Sequence, residues 1–174
     1  MDKQLEANMR FLCDESRMLT GITVAYGTPT YSEWAQYGRA QEIEWTESGF
    51  VPAVHPLDPN TIYDLASLTK LFTTVVTLAL VESGRLSPDE TVGQIDPRFV
   101  HLQNVTVGDV LSFRVSLQTP GRIDAAQTRE EGLKRLFGVS VCPTPAIRVY
   151  SDMNAMVIKY VIEAKTGLSL FDAI

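Results

Sequence analysis

Apolar residues recur at the spacing of an α-helix in three segments of the chain. In the N-terminal segment they stand at i, i+4, i+7 and i+8, namely at Leu5, Met9, Leu12 and Cys13. Residues 67–83 are apolar on nearly every side, and residues 152–165 keep the 3.6-residue spacing without a gap. These patterns predict an amphipathic N-terminal helix, a buried central helix and a second amphipathic helix late in the chain.

Between the first and the second of these helices, apolar residues recur at every second position. Apolar and small residues alternate in residues 21–27, which is typical of a β-strand, and a Thr-Pro pair then supplies a turn. Residues 32–39 predict a second strand, so the two strands form a hairpin. Residues 40–60 are polar and rich in proline, and we interpret them as a loop.

Capping residues mark the helix boundaries. Gly84 and Gly167 stand where the two later helices end. Residues 87–90, Ser-Pro-Asp-Glu, form a capping box with proline at the first helical position, which predicts a short helical turn. Further caps predict short helices that begin after Thr106, Thr128 and Ser169. The chain is therefore expected to be α+β, with residues 1–60 forming a helix and two strands and residues 61–174 a helical region.

Composition excludes several classes of function. The 174 residues are 45% hydrophobic, which is enough for one domain with a core. The 15 basic and 21 acidic residues give a net charge of −6, and scattered basic residues in an acidic chain argue against nucleic-acid binding. Two cysteines and two histidines are too few for a zinc or iron–sulfur site. Cys13 and Cys142 are expected to be free, with a disulfide as the alternative.

The sequence also lacks the usual marks of a membrane protein. Its N-terminus is charged throughout and has no apolar stretch of the kind that a secretory signal needs. The longest apolar stretch, residues 71–81, is interrupted by threonines and is too short to span a bilayer. We therefore expect a soluble chain with no membrane span. A cytoplasmic location is favoured, with a removed signal as the alternative.

One motif in the chain offers a reactive group. Ser67 and Lys70 form a Ser-x-x-Lys at the start of the central helix, which puts both side chains on one face. A serine hydroxyl is a weak nucleophile until an adjacent base takes its proton, and a partly desolvated lysine amine can do so. The alternative is an N-cap serine beside a solvated lysine. The apolar helix that follows argues against it, because Lys70 then lies close to the core.

The flanks of this motif resemble a known family. Residues 63–70 read Tyr-Asp-Leu-Ala-Ser-Leu-Thr-Lys, and residues 81–90 read Val-Glu-Ser-Gly-Arg-Leu-Ser-Pro-Asp-Glu. Residues 150–152, Tyr-Ser-Asp, are similar to that family's Tyr-Ser-Asn or Tyr-Ser-Asp element and come at the matching separation. The chain thus resembles the serine β-lactamase and penicillin-binding-protein group, which includes class C β-lactamases, D-Ala-D-Ala peptidases and β-lactamase-like esterases.

The resemblance implies a fold and a set of roles. The fold would be that of β-lactamases and transpeptidases, here its N-terminal portion, with the C-terminal strands absent. Ser67 would be acylated by an amide, lactam or ester carbonyl, Lys70 would accept its proton, and Tyr150 would protonate the leaving group. Asp152 would contact substrate where many members carry Asn. Its carboxylate would also favour a charged Lys70, which would make Tyr150 the general base. No metal or organic cofactor is implied.

The chain departs from the family pattern in three places. Residues 113–116 read Phe-Arg-Val-Ser where relatives show His-Thr-Ser-Gly, so this segment gives no support to a catalytic role. Residues 165–167, Lys-Thr-Gly, imitate the family's third motif, but they stand at a helix end and follow Tyr150 too closely, so we reject them. The third departure is length, since the chain stops one turn into a new helix and suggests a truncated protein.

These departures keep other interpretations open. An incomplete sheet and an uncovered apolar helix predict a complementing chain or a homo-oligomer. The leading hypothesis is a serine hydrolase that acts on a small-molecule or peptide substrate. A non-catalytic truncated relative that binds peptide or protein is the main alternative, and an unrelated helical domain with a chance Ser-x-x-Lys is the third.

Overall fold

The computed structural model of the protein describes residues 2–143 and 150–174. The chain divides into two compact units, Met1–Asp64 and Leu65–Ile174. We call the first the sheet unit and the second the helical unit, after the elements that each contains. No helix in the two described ranges is both long enough and apolar enough to cross a membrane.

The sheet unit begins with helix α1 (Lys3–Arg10), which continues into a single π-helical turn (Phe11–Glu15). The side chain of Asp2 caps α1 by accepting a hydrogen bond from the backbone N–H of Gln4 at 2.9 Å. An antiparallel sheet follows in the order β1-β2-β3, formed by β1 (Gly21–Thr28), β2 (Tyr31–Thr46) and β3 (Gly49–Pro56). The N-terminal helix and the first strand are thus confirmed.

The prediction of two strands followed by a loop is wrong, because β2 runs on to Thr46 and pairs with β3. Two properties hid these strands. Register shifts between Arg39 and Ile43 interrupt the alternation along β2. The third strand lies at the edge of the sheet, where Pro52 and Pro56 are tolerated although they cannot donate ladder hydrogen bonds.

The helical unit contains six α-helices and a two-residue antiparallel ladder within its described residues. The helices are α2 (Thr69–Glu82), α3 (Val92–Ile95), α4 (Val107–Leu111), α5 (Arg129–Phe137), α6 (Asp152–Thr166) and α7 (Leu170–Ala173). The ladder pairs β4 (Leu117–Gln118) with β5 (Ser140–Val141). The core of the helical unit is apolar and centres on α6, whose Val157, Ile158, Val161 and Ile162 are all buried.

Most of the predicted caps are confirmed. Gly84 and Gly167 adopt φ of +69° and +73° just beyond α2 and α6. Helices α4, α5 and α7 begin after Thr106, Thr128 and Ser169, whose side chains each accept a backbone N–H three residues on. At residues 87–90 the Ser87 N–H donates to the Glu90 carboxylate and the Ser87 hydroxyl accepts the Asp89 N–H, but these bonds close a turn and no helix follows directly.

The central helix α2 is buried on one side only. Thr73, Thr77 and Leu80 are buried, whereas Leu71, Val75 and Leu78 are each more than half exposed. The central helix is thus buried on one face, and its other face is uncovered, as the incomplete sheet predicts. The apolar composition of α2 reflects one face packed on the helical core and a second apolar face that is accessible. The N-terminal end of α2 carries the candidate nucleophile.

Candidate active site

Ser67 lies in a single 3₁₀ turn (Ala66–Leu68) that leads directly into α2, so the α-helix itself starts two residues later than predicted. Ala66, the residue before Ser67, has a φ of +44°. A residue with a Cβ rarely adopts this conformation, and it costs on the order of 1–3 kcal/mol. Such strain is concentrated at functional sites. Lys70 follows in the first turn of α2.

Tyr150 and Asp152 lie at the beginning of α6, which is far from Ser67 in the sequence but belongs to the same helical unit. Ser151 caps this helix, and its hydroxyl accepts the backbone N–H of Met153 at 3.2 Å. Ser151, and not Asp152, is therefore the N-cap of α6. Asp152 is instead the first residue of α6, and its side chain is 73% exposed.

The ammonium group of Lys70 joins these residues. Its Nζ donates to Ser67 Oγ at 3.0 Å, lies 2.5 Å from Asp152 Oδ1, and stands 4.8 Å from the centre of the Tyr150 ring. The Lys70 side chain is only 16% exposed, as the sequence predicted for a lysine close to the core. The structure thus brings together the four residues that the sequence singled out, all within the helical unit.

The two titratable groups nearest Ser67 are shifted in opposite directions. The pKa of Lys70 is raised, first by its hydrogen bond to Asp152 and then by its hydrogen bond to Tyr150, against the opposing effect of burial. The pKa of Tyr150 is lowered, first by a hydrogen bond from Ser67 and then by one from Lys70. Tyr150 therefore gives up its proton before Lys70 does. The site thus makes Tyr150 easier to ionise and Lys70 harder to deprotonate than the free side chains.

Phe113 belongs to this site, although its segment was given no role from the sequence. Its ring stacks on the Tyr150 ring, with 5.5 Å between the ring centres and 21° between the ring planes. The backbone of Phe113 has a φ of +54°, which is costly for an aromatic residue. Because Tyr150 is itself 64% exposed, the Phe113 ring is one of the contacts that hold it near Ser67.

Asn154 is a second residue that sequence reasoning missed. It is 1% exposed, and its Nδ2 donates to the backbone carbonyl of Val110 at 2.8 Å, which ties the start of α6 to α4. Its Oδ1 is buried and has no hydrogen-bond partner among the described residues. An unpaired buried acceptor costs about 1–3 kcal/mol, so its position is held by the surrounding structure. No signal in the sequence distinguished Asn154 from the helical pattern around it.

A cavity of about 500 Å³ opens beside Ser67. Its wall is formed by α2, the end of α4 and the first turns of α6, together with Leu65 and the 3₁₀ turn. Most of the side chains on it are apolar, among them Leu68, Leu71, Val110, Leu111, Phe113 and Ile158. The candidate nucleophile therefore faces an apolar space large enough for part of a substrate.

The Lys-Thr-Gly segment at 165–167 takes no part in this site. Lys165 lies in the last turn of α6, where its ammonium forms an ion pair with Glu90. The turn after it is closed by Gly167. The segment therefore forms the C-terminal end of α6, as the sequence predicted.

Comparison with known proteins places the chain in a family. A sequence model of the β-lactamase family matches residues 27–174. The chain belongs to the β-lactamase family. A putative D-alanyl-D-alanine carboxypeptidase of Escherichia coli (strain K12) is 27% identical over 129 residues, which span 64% of this chain and 30% of that protein.

Solved structures agree with the family assignment at the level of the fold. A class C β-lactamase in complex with cefoxitin superposes with a TM-score of 0.76 and 21% identity, covering 98% of this chain and 46% of that protein. A β-lactamase/D-alanine carboxypeptidase from Pseudomonas syringae gives a TM-score of 0.69 and 18% identity, with 98% and 45% covered. The chain spans less than half the length of these relatives, and its α+β fold is confirmed as that of the β-lactamase and transpeptidase group.

Proposed function

We propose that this protein is a serine hydrolase that forms an acyl-enzyme on Ser67 with the carbonyl of an amide, lactam or ester. The observation that carries this proposal is the convergence of Ser67, Tyr150 and Asp152 on the Lys70 ammonium. Membership of the β-lactamase family supports it independently. The family's substrates include β-lactams and D-alanyl peptides, so both are candidates here.

In the proposed acylation, the Tyr150 phenolate takes the proton of Ser67 as Oγ attacks the carbonyl carbon. Lys70 remains an ammonium ion, because its ion pair with Asp152 raises its pKa, and it stabilises the phenolate. The backbone N–H of Ser67 is a donor for the oxyanion that forms on the carbonyl oxygen. Tyr150, now protonated, delivers the proton to the departing amine or alcohol.

In the proposed deacylation, water attacks the ester bond between Ser67 and the acyl group. Tyr150 accepts the water proton and returns a proton to Ser67 Oγ as that bond breaks. The cycle requires no redox change, and the enzyme regains its starting protonation state. Opposite pKa shifts in two neighbouring groups suit this exchange, since one acts as the base and the other as the fixed cation.

The proposal is tested by intact-mass spectrometry with benzylpenicillin and, separately, p-nitrophenyl acetate. We expect an adduct of the opened lactam or of the acetyl group, and none in Ser67→Ala. Ser83→Ala, at the opposite end of α2, is the matched control and should be acylated like the parent protein. A folded protein that is acylated by neither reagent would favour the non-catalytic alternative.

A further inference from the structure

Helix α4 ends in a type of turn that usually contains glycine. The backbone N–H of Phe113 donates to the carbonyl of Val110 at 3.2 Å. The backbone N–H of Arg114 donates to the carbonyl of Asp109 at 2.9 Å. With the left-handed φ of +54° at Phe113, these two bonds form a Schellman motif. Glycine is favoured at the left-handed position because it has no Cβ, so an aromatic residue there makes the cap less stable.

The side chain of Phe113 has a contact that the helix cap does not need. The two hydrogen bonds of the cap use backbone atoms only, whereas the Phe113 ring stacks on the Tyr150 ring at 5.5 Å. Among the described residues other than glycine, only Arg17, Ala66 and Phe113 have a positive φ. Ala66 directly precedes Ser67, so two of these three strained residues adjoin the candidate base or the candidate nucleophile.

The carbonyl of Val110 fixes this turn against α6. It accepts the backbone N–H of Phe113 at 3.2 Å and the side-chain Nδ2 of Asn154 at 2.8 Å. Val110 is fully buried, and Asn154 is only 1% exposed. Asn154 lies in the first turn of α6, four residues after Tyr150. A buried contact thus sets where the Phe113 ring lies relative to α6, although Tyr150 itself is largely exposed.

We infer that Phe113 is a positioning residue, which holds the Tyr150 ring beside Ser67 and Lys70 during proton transfer. This role rests on the proposed function, in which Tyr150 takes the proton of Ser67. Ser67 and Lys70 both lower the pKa of Tyr150, whereas Asp152 raises it. The two lowering contacts are hydrogen bonds, which act only at short range, so a Tyr150 ring that moves away from them regains a higher pKa.

Phe113→Gly and Phe113→Leu test this role with and without the backbone strain. Both remove the aromatic ring, but glycine also accommodates the positive φ, whereas leucine keeps the strain. The measurement is kcat/KM across pH with benzylpenicillin or p-nitrophenyl acetate, whichever acylates Ser67 in the parent protein. Each variant should lose about 10–100-fold at neutral pH, because the base is misplaced. The limb on which kcat/KM rises with pH should also move to higher pH.

Phe113→Tyr and Phe137→Leu are the matched controls. Phe113→Tyr keeps a ring that can stack on Tyr150, so kcat/KM should stay within about twofold of the parent with an unchanged rising limb. Phe137 makes edge-to-face contacts with Phe99 and Tyr160 in the same unit and does not line the cavity beside the candidate nucleophile. Phe137→Leu should lower the melting temperature measured by circular dichroism, and it should leave the rising limb where it is in the parent.

Two results would overturn the role of Phe113. One is a pair of folded ring-removing variants whose rising limb stays in place, because a merely structural loss reduces the amount of active protein alike at every pH. The other is a Phe137→Leu variant whose limb moves as far as theirs. Acylation that survives Ser67→Ala, or a parent protein that neither reagent acylates, would instead overturn the proposed function, so the two failures are distinguishable.

Discussion

The two units of the chain differ sharply in how much apolar surface they bury. Among the described residues, the sheet unit has three buried apolar side chains, those of Met9, Cys13 and Ala35, whereas the helical unit has fifteen. Trp34, Trp45 and Phe50 of the sheet unit are each more than half exposed. The three candidate catalytic residues and Asp152 all belong to the unit with the larger core, so the geometry of the site depends on the packing of that unit.

The largest expected effect follows directly from this difference. Phe99 is fully buried in the helical unit and makes edge-to-face contacts with Phe137 and Tyr160. Phe99→Ala should lower the free energy of unfolding by about 3–5 kcal/mol, because it removes buried contacts and leaves a cavity. Urea denaturation followed by circular dichroism at 222 nm measures the change.

Phe50→Ala is the matched substitution in the sheet unit. Phe50 is 70% exposed and contacts Trp45 edge-to-face at 4.9 Å, so the cost should be only about 0.5–1.5 kcal/mol. Tryptophan fluorescence reports on this unit, since both tryptophans of the chain lie in it. Equal losses from the two variants would mean that burial differs less between the units than the structure indicates.

A second comparison concerns two tyrosines with different neighbours. In the sheet unit, Tyr26 donates to Glu33 at 2.6 Å, and this hydrogen bond raises the pKa of Tyr26 to about 12. In the helical unit, Ser67 and Lys70 lower the pKa of Tyr150. The same side chain is thus kept protonated in one unit and made easier to ionise in the other.

Asp152→Asn tests this arrangement through the pH dependence of kcat/KM. In the proposed mechanism, activity needs Tyr150 ionised and Lys70 charged, so kcat/KM should rise as pH passes the pKa of Tyr150 and fall as pH passes that of Lys70. The substitution removes the largest effect that raises the pKa of Lys70, and it also removes a negative charge that raises the pKa of Tyr150. Both limbs of the profile should therefore move to lower pH.

Glu33→Gln is the control for Asp152→Asn. It should lower the pKa of Tyr26, measured by ultraviolet titration, because it removes the carboxylate that holds the phenol proton. The pH profile of activity should not change, since Glu33 lies in the sheet unit and outside the site. A profile of Asp152→Asn identical to that of the parent would refute the proposed role of Tyr150 as general base.

The sequence was sufficient to predict those features of the fold that depend on neighbouring residues. Gly84, Gly167 and the caps of α4, α5 and α7 were predicted correctly because capping depends on residues within one turn. The continuation of the sheet through β3 was missed, because apolar Phe50 and Val54 stand on its exposed face and the sequence therefore shows no alternation of apolar and polar residues.

The candidate site shows the same limit. Ser67 and Lys70 were found from their spacing, and Tyr150 and Asp152 from a short motif. Phe113 and Asn154 were missed because their roles depend on the packing of α4 against α6, which joins residues about forty positions apart.

A backbone penalty at two glycines, smaller than the loss expected at Phe99, should not depend on the size of the core. Gly84 ends α2 with a φ of +69°, and Gly49 begins β3 with a φ of +107°. A Cβ would meet no atom within 4 Å at either position, so alanine adds conformational strain without a clash.

Each substitution, Gly84→Ala and Gly49→Ala, should therefore cost about 1–2 kcal/mol in urea denaturation, followed with the probe that reports on its own unit. Ser83→Ala and Ser48→Ala make small changes beside these glycines without altering a positive φ, and they serve as controls. A much larger loss at Gly84 than at Gly49 would show that the helical core amplifies a local strain. Similar losses of stability at the two glycines would show that the units differ in the apolar surface they bury and not in their response to local backbone strain.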